Sequence, residues 1–210
     1  MGKSVNVRRV ARELGWKMKP VRIADEIKLG APWYVMVEGA DGAGKSTFAE
    51  ALKDEVRREG EPCLLYHEPF YPKALLEPTA GDYQLDRERW YSCHVPDEKS
   101  WIVSDRSLFS TLAYNPCSGG VVKRMGEWLE NPAYFGSYNK ALIVLLPDEE
   151  TLLKRLSNRQ NEGIPLDALE LDRAYQKKVA QKYAELLENP PYPLDAIFVL
   201  KPSKWRKIWK

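Results

Sequence analysis

Apolar and polar residues alternate along the chain in blocks whose lengths distinguish strands from helices. Short apolar runs, of the length typical of buried strands, lie at residues 33–37, 63–66, 101–104, 141–146 and 196–200. Between them we expect helices over residues 47–58, 83–95, 121–130, 148–159 and 166–187. Strands that alternate with helices predict an α/β fold, in which a parallel sheet of about five strands carries helices on both faces.

The first 31 residues precede this pattern and form a candidate N-terminal extension. Apolar residues recur there at helical spacing, at Val7, Val10, Ala11 and Leu14. Gly15 is expected to end this helix. We expect a short amphipathic helix packed on the surface of one domain that spans residues 32–210. A basic arm that binds nucleic acid is the alternative.

Composition narrows the class of protein. A chain of 210 residues is long enough for one α/β domain and too short for two ordinary ones. Its net charge of +2 does not require a polyanionic partner. Three cysteines without metal-like spacing indicate free thiols in a reducing compartment. No apolar run approaches the roughly 20 residues of a membrane span, so we expect a cytoplasmic protein with no membrane partner.

The strongest chemical signal is the segment GADGAGKS at residues 39–46, which follows a predicted strand and opens a predicted helix. Its glycines allow backbone N–H groups to converge on phosphate oxygens, and the helix start adds further donors. Lys45 would bridge the β- and γ-phosphates of ATP, and the Ser46 hydroxyl would bind Mg²⁺. The expected nucleotide contacts are Gly39, Asp41, Gly42, Ala43, Gly44, Lys45, Ser46 and Thr47.

Charged residues at two other places indicate phosphoryl transfer. Asp105 stands at the carboxyl end of a predicted strand, where it would hold Mg²⁺ directly or through water, and Arg106 would face an anionic group. Arg155 and Arg159 share a helix face before a loop that contains Gly163. They would neutralise charge from a lid at about residues 155–165. The alternatives are a turn-capping aspartate and a basic solvent-facing surface.

These residues match a known family. The segment VEGADGAGKST at residues 37–47 strongly resembles the phosphate loop of the thymidylate kinases, EGxDGAGK[ST]T. Weaker matches follow in order and extend the resemblance over residues 33–200. Glu68-Pro69 resembles the centre of REPGG, Tyr83-x-x-Asp86-Arg87 resembles F-x-x-DR, Asp105-Arg106-Ser107 resembles DRY, Ala113-Tyr114-Asn115 resembles AYQ, and Tyr175-x3-Val179-x3-Tyr183 resembles F-x3-V-x3-Y.

The resemblance implies an acceptor site as well as a three-layer P-loop kinase fold. Tyr83 would stack on a nucleobase, with Arg87 and Asn115 bonding to its edge. Arg106 would grip the acceptor phosphate, and Asp41 would lie between acceptor and metal. Glu68 would contact the substrate, although its surroundings differ from the family pattern. His67 replaces an arginine there, and Phe70-Tyr71 replace glycines.

The expected reaction is phosphorylation of a deoxynucleoside monophosphate by ATP with Mg²⁺, with dTMP or a related 5-substituted pyrimidine as acceptor. The expected catalytic residues are Lys45, Asp41, Arg106, Arg155 and Arg159. The family also implies a homodimer.

Three alternatives stay open. A deoxynucleoside kinase would use Glu68 as the base for a 5′-hydroxyl, since Glu68-Pro69 also resembles that family's EPV element. Residues 163–166 resemble the GIPL of the same family. A kinase of a modified base in DNA would use the basic C-terminal tail. A nucleotide-dependent binding module would not transfer phosphate at all.

Overall fold

The protein is described by a computed structural model over residues 4–22, 27–67, 100–114, 119–164, 166 and 168–202. The elements in chain order are β1 (Ser4–Val5), α1 (Val7–Glu13), β2 (Trp16–Arg22), β3 (Ile27–Lys28), β4 (Trp33–Gly39), α2 (Lys45–Arg58), β5 (Cys63–His67), β6 (Trp101–Asp105), α3 (Leu108–Tyr114), α4 (Gly119–Glu130), β7 (Asn139–Leu145), α5 (Glu149–Asn161), α6 (Ala168–Leu171), α7 (Arg173–Glu188) and β8 (Ala196–Pro202).

A mostly parallel sheet organises the described residues in the order β2-β8-β7-β4-β6-β5. The pairs β5–β6, β6–β4, β4–β7 and β7–β8 are parallel, and β2 runs antiparallel to β8 at one edge. The five strands that the apolar runs predict are therefore confirmed, as is the α/β fold class. Within the described residues the sheet nevertheless has six strands, because the N-terminal extension contributes β2. β1 and β3 form a separate two-stranded antiparallel pair.

Helices cover both faces of the sheet, which explains why the strands read as continuous apolar runs. In β4, Tyr34 and Met36 pack into the apolar cluster that includes α3, α4, α5 and α7. Val35 and Val37 point to the opposite face and pack into the cluster that includes α1 and α2. β4 lies near the middle of the sheet, so the loop that follows it emerges between the two helical layers.

The N-terminal extension is more closely integrated than the sequence predicts. Helix α1 is confirmed, with Gly15 at its end in the left-handed region, at φ 78°. The strand β2 was not predicted, because lysines, an arginine and Pro20 interrupt any apolar pattern there. Charged residues and proline are, however, typical of edge strands, which have only one hydrogen-bonded neighbour. Here that neighbour is β8, and Trp16 pairs with Pro202.

Two further elements differ from the expected pattern. The single helix expected over residues 166–187 is wrong, because the structure has α6 and α7 separated at Asp172. The Asp172 carboxylate accepts hydrogen bonds from the N–H groups of Ala174 at 2.9 Å and Tyr175 at 3.1 Å. This cap starts a new helix in place of continuing the old one. Helix α3 was not predicted, and the helix expected at 83–95 lies outside the described residues.

No helix among the described residues is long and apolar enough to span a membrane.

The packing of α1 can be tested by removing part of one buried side chain. Val10 is 2% exposed and belongs to the same apolar cluster as α2. Val10→Ala should lower the free energy of unfolding by about 1–2 kcal/mol and Tm by roughly 2–8 °C. The control is Arg12→Ala on the exposed side of the same helix, with a change within about 0.5 kcal/mol. Equal Tm values for the two variants would show that the extension is only an appendage.

Candidate active site

The carboxyl ends of β4, β6 and β7 meet at one edge of the sheet. Val37 of β4 is in register with Asp105 of β6, and Gly39 is in register with Leu145 of β7. A Cβ on Gly39 would lie 2.5 Å from the Leu145 carbonyl oxygen, and φ at Gly39 is 144°. Glycine is therefore required at the point where the chain leaves the sheet and enters the loop at residues 40–44.

This loop delivers the chain to the start of α2 in a geometry that suits an anion. Gly44 is the N-cap of α2 at φ 92°, and no side chain in the described part of the chain caps this end of the helix. The first-turn N–H groups are thus left for an external acceptor, and the positive end of the helix dipole favours an anion there. Ser46 and Thr47 are exposed in this first turn.

Lys45 is buried, with 6% of its surface exposed. Its Nζ donates to the Gly39 carbonyl at 3.0 Å and the Ala40 carbonyl at 2.9 Å, and it lies 4.0 Å from Asp41 Oδ1. Burial, together with the positive charge of Arg106, lowers the pKa of Lys45 to about 8. A bound phosphate would favour the charged ammonium, so the loop holds a cation that gains from an anionic ligand.

Arg106 forms a salt bridge with Asp41, which joins the end of β6 to the loop. The guanidinium carbon lies 5.3 Å from the centroid of the Tyr114 ring, within the range of a cation–π interaction. Burial alone would raise the pKa of Asp41, but the charges of Arg106 and Lys45 outweigh this effect and lower it. Asp41 therefore stays a carboxylate between two cations.

The backbone of Arg106 is itself unusual. Its φ is 78°, in the left-handed region that costs a non-glycine residue about 1 kcal/mol or more. Two hydrogen bonds support it: its N–H donates to the Val37 carbonyl at 3.0 Å, and its carbonyl accepts from Ser104 Oγ. The strained turn aims the guanidinium at the phosphate loop.

The carboxylate of Glu38 is fully buried and binds the residues that follow this turn. It accepts hydrogen bonds from Ser107 Oγ at 2.6 Å, Ser110 N at 3.1 Å, Ser110 Oγ at 2.7 Å and Tyr183 Oη at 2.7 Å. These contacts tie β4 to the start of α3 and to α7. Sequence reasoning assigned Glu38 no role, although a carboxylate within a buried apolar strand was a signal that it must have partners.

Asp105 is suited to a metal ion. The residue is 8% exposed, and its Oδ1 is buried without a hydrogen-bond partner in the described part of the chain. Its Oδ2 lies 3.4 Å from His67 Nδ1. An unsatisfied carboxylate oxygen beside a phosphate loop fits Mg²⁺, which is bound by few carboxylates and completes its shell with phosphate and water. The described residues contain no cluster of three or more metal-ligating side chains.

The two arginines of the expected lid occupy different places. Arg155 reaches the loop, where its Nη1 donates to the Ala43 carbonyl at 2.6 Å, and burial lowers its pKa. Arg159 instead forms a salt bridge with Glu170 of α6 at 3.0 Å. The structure thus brings Lys45, Asp41, Asp105, Arg106 and Arg155 together. Four predicted substrate contacts lie outside the described residues: Glu68, Tyr83, Arg87 and Asn115.

Replacing Glu38 would test its structural role. Glu38→Gln keeps the shape of the side chain but turns one acceptor oxygen into a donor, which would face the hydroxyl and N–H donors that Glu38 accepts from. We expect a loss of about 1–3 kcal/mol in the free energy of unfolding, measured by urea titration. The exposed Glu50→Gln on α2 is the control and should stay within about 0.5 kcal/mol. Identical urea midpoints for the two variants would show that Glu38 does not stabilise the fold.

Comparisons with known proteins identify a family. A family model described as thymidylate kinase matches residues 83–196, downstream of the phosphate loop. A thymidylate kinase of Helicobacter pylori is 34% identical over 168 residues, which cover 72% of this chain and 82% of the relative. A thymidylate kinase of Coprothermobacter proteolyticus is 25% identical over 174 residues, which cover 76% and 88%.

A solved structure of a deoxyadenosine kinase from M. mycoides with bound dATP is 15% identical and covers 77% of this chain and 89% of its own, with a TM-score of 0.44. That likeness is too weak to bear on the ligand. The family model covers residues 83–196 of 210, more than half of the chain. The chain therefore belongs to the thymidylate kinase family of nucleoside monophosphate kinases.

Proposed function

We propose that the chain transfers the γ-phosphoryl group of ATP to the phosphate of a deoxynucleoside monophosphate, with dTMP or a related 5-substituted pyrimidine as acceptor. The observation that carries the proposal is the chain of alternating charges formed by Lys45, Asp41 and Arg106 across the phosphate loop. Family membership and the names of the relatives support the choice of acceptor.

The donor triphosphate would lie over the loop at residues 39–46. Uncapped N–H groups at the start of α2 would bind its oxygens, and the Lys45 ammonium would turn from the loop carbonyls to the β- and γ-phosphates. Ser46 and Asp105 would hold Mg²⁺, which would neutralise charge on the phosphates and position them. Arg155, already at the loop, would add a second cation.

The acceptor phosphate would bind to Arg106. A monophosphate is already a nucleophilic anion, so it needs cationic partners and not a general base. The guanidinium has five N–H donors and could keep its contact with Asp41 while it binds phosphate oxygens. Tyr83, Arg87 and Asn115 would bind the base, and Glu68 would contact the acceptor. These four assignments rest on the family motifs.

The lid would close by releasing one salt bridge. Arg159 would have to leave Glu170 before it could face the transferred phosphoryl group. The Arg159 side chain is 35% exposed and that of Glu170 is 14% exposed, so water screens this salt bridge only partly. Triphosphate binding would supply the competing anion, and closure would exclude water from the reaction.

One acceptor panel tests the proposal. Purified protein with ATP and Mg²⁺ is incubated with dTMP, dUMP, 5-hydroxymethyl-dUMP, dCMP, dGMP, thymidine or a DNA oligomer, and ADP and the phosphorylated product are measured. We expect ADP to form only with a monophosphate, and fastest with dTMP or another 5-substituted pyrimidine nucleotide. Turnover with thymidine alone would identify a nucleoside kinase, turnover with DNA would identify a DNA-modifying kinase, and ADP formation without any acceptor would indicate an ATPase.

The role of Lys45 gives a prediction in turnover and in pH dependence. Lys45→Met should lower kcat/KM at least about 100-fold, because the triphosphate loses its point charge. In the unaltered protein, the ATP dissociation constant should rise about tenfold per pH unit above the Lys45 pKa of about 8, since binding needs the ammonium form. The variant should lack this dependence. Lys53→Met, on the same helix but paired with Asp54, is the matched control and should retain both properties.

The free energy of unfolding should rise with pH over the range in which the affinity for ATP falls. The folded protein holds Lys45 at a lowered pKa, so between pH 8 and the unfolded value of 10.5 the unfolded chain binds more protons. Lys45 therefore makes the free energy of unfolding rise with pH through that window. Lys45→Met should remove this rise and leave Tm at pH 7 no lower than that of the unaltered protein. A large drop in Tm would mean that lost folding, and not lost charge, explains the loss of turnover.

A further inference from the structure

We infer that the N-terminal extension is part of the donor site, with Trp16 as the residue that positions Arg155 over the phosphate loop. The inference rests on the proposed function, in which Arg155 binds the donor phosphates. Nothing in the family match covers the extension, because that match begins at residue 83.

Strand register places Trp16 at the active edge of the sheet. Gly39, where the phosphate loop begins, is in register with Leu145 of β7. Leu145 is in register with Leu200 of β8, and Leu200 with Met18 of β2. Because β2 is antiparallel, Trp16 lies beyond this row, opposite Pro202, on the side from which the loop projects. With strands about 4.8 Å apart, three spacings span roughly 14 Å between β4 and β2.

The Arg155 side chain contacts both Trp16 and the loop. Its guanidinium carbon lies 5.2 Å from the centroid of the Trp16 ring, and its Nη1 donates to the Ala43 carbonyl at 2.6 Å. A Cβ built on Gly44 would lie 3.1 Å from the same Nη1, so the guanidinium covers the end of the loop directly before α2. Tryptophan is the aromatic side chain that attracts a cation most strongly at this distance.

The ring is held firmly in place. Trp16 is 6% exposed and belongs to the apolar cluster that includes α1 and α2. Arg9 of α1 forms a salt bridge with Glu55 of α2, whose side chain is 2% exposed. Arg58, which lies on α2 itself, also donates to Glu55 at 2.6 Å. The extension is thus fixed to the same helix that begins at the phosphate loop.

These contacts define a role for the indole ring that a packing residue would not have. It replaces water on one face of the guanidinium and limits the directions in which Arg155 can turn. When a triphosphate binds the loop, the guanidinium can exchange the Ala43 carbonyl for a phosphate oxygen without leaving the ring. Pre-positioning of this kind lowers the entropic cost of binding the donor and leaves acceptor binding unchanged.

The experiment compares Trp16→Leu, Trp16→Phe and Trp33→Leu in the full chain, with the dissociation constant of MgATP measured by calorimetry. Trp33 is the matched control, since it is 8% exposed in the same apolar cluster but lies at the opposite end of β4. Trp16→Leu should raise the MgATP dissociation constant about 3- to 30-fold, and the KM of the acceptor should stay within about twofold. Trp16→Phe should restore most of the affinity.

A double-mutant cycle with Arg155→Met tests whether Trp16 acts through Arg155. We expect Trp16→Leu to have little further effect on MgATP binding in that background. An undiminished effect there, or equal MgATP constants for Trp16→Leu and Trp33→Leu, would overturn the inference. If the unaltered protein binds MgATP but phosphorylates no monophosphate, the proposed function fails while the calorimetric comparison still decides the role of Trp16.

Discussion

The rest of this site depends on the hydrogen bonds that the buried Lys45 ammonium donates to the loop. A lysine with 6% exposure needs acceptors on every side, and the Gly39 and Ala40 carbonyls supply two of them. Those carbonyls can converge only because the chain turns sharply where Gly39 lies against the Leu145 carbonyl. The loop therefore holds a partly desolvated cation, whose charged form an anionic ligand would favour.

A second layer of contacts aims the remaining charges at this cation. Glu38 accepts hydrogen bonds from Ser107, directly before α3, and from the Tyr183 hydroxyl. The turn between β6 and α3 holds Arg106 in a left-handed backbone conformation. A strained residue persists only when its surroundings fix it, and strain of this kind clusters at functional sites. The buried network stabilises the fold and, by the same hydrogen bonds, sets the direction of the arginine that faces Asp41.

The N-terminal extension shows how an edge strand can serve a site three strands away. β2 closes the edge of β8, α1 is bound to α2, and Trp16 lies against Arg155. Helix α5 is thereby linked to the extension as well as to the loop, through the side chain of Arg155. Arg159, four residues further along α5, is paired with Glu170 and is independent of this link.

Local pattern in the sequence was enough to predict the parallel sheet, the glycine-rich strand-to-helix turn at residues 39–46, helix α1 and the position of Asp105 at a strand end. These features depend on residues close together in the chain: apolar runs buried on both faces, glycines at a strand-to-helix turn, and a carboxylate at a strand end. Only the tertiary structure decided the partners of Glu38, which lie 69 to 145 residues away, and the pairing of Trp16 with Arg155. An edge strand with charged residues and a proline has no periodic signal of its own, so β2 exists because β8 offers it hydrogen bonds. Distant contacts of this kind are set by the packing of the whole sheet, and no short segment of the chain contains them.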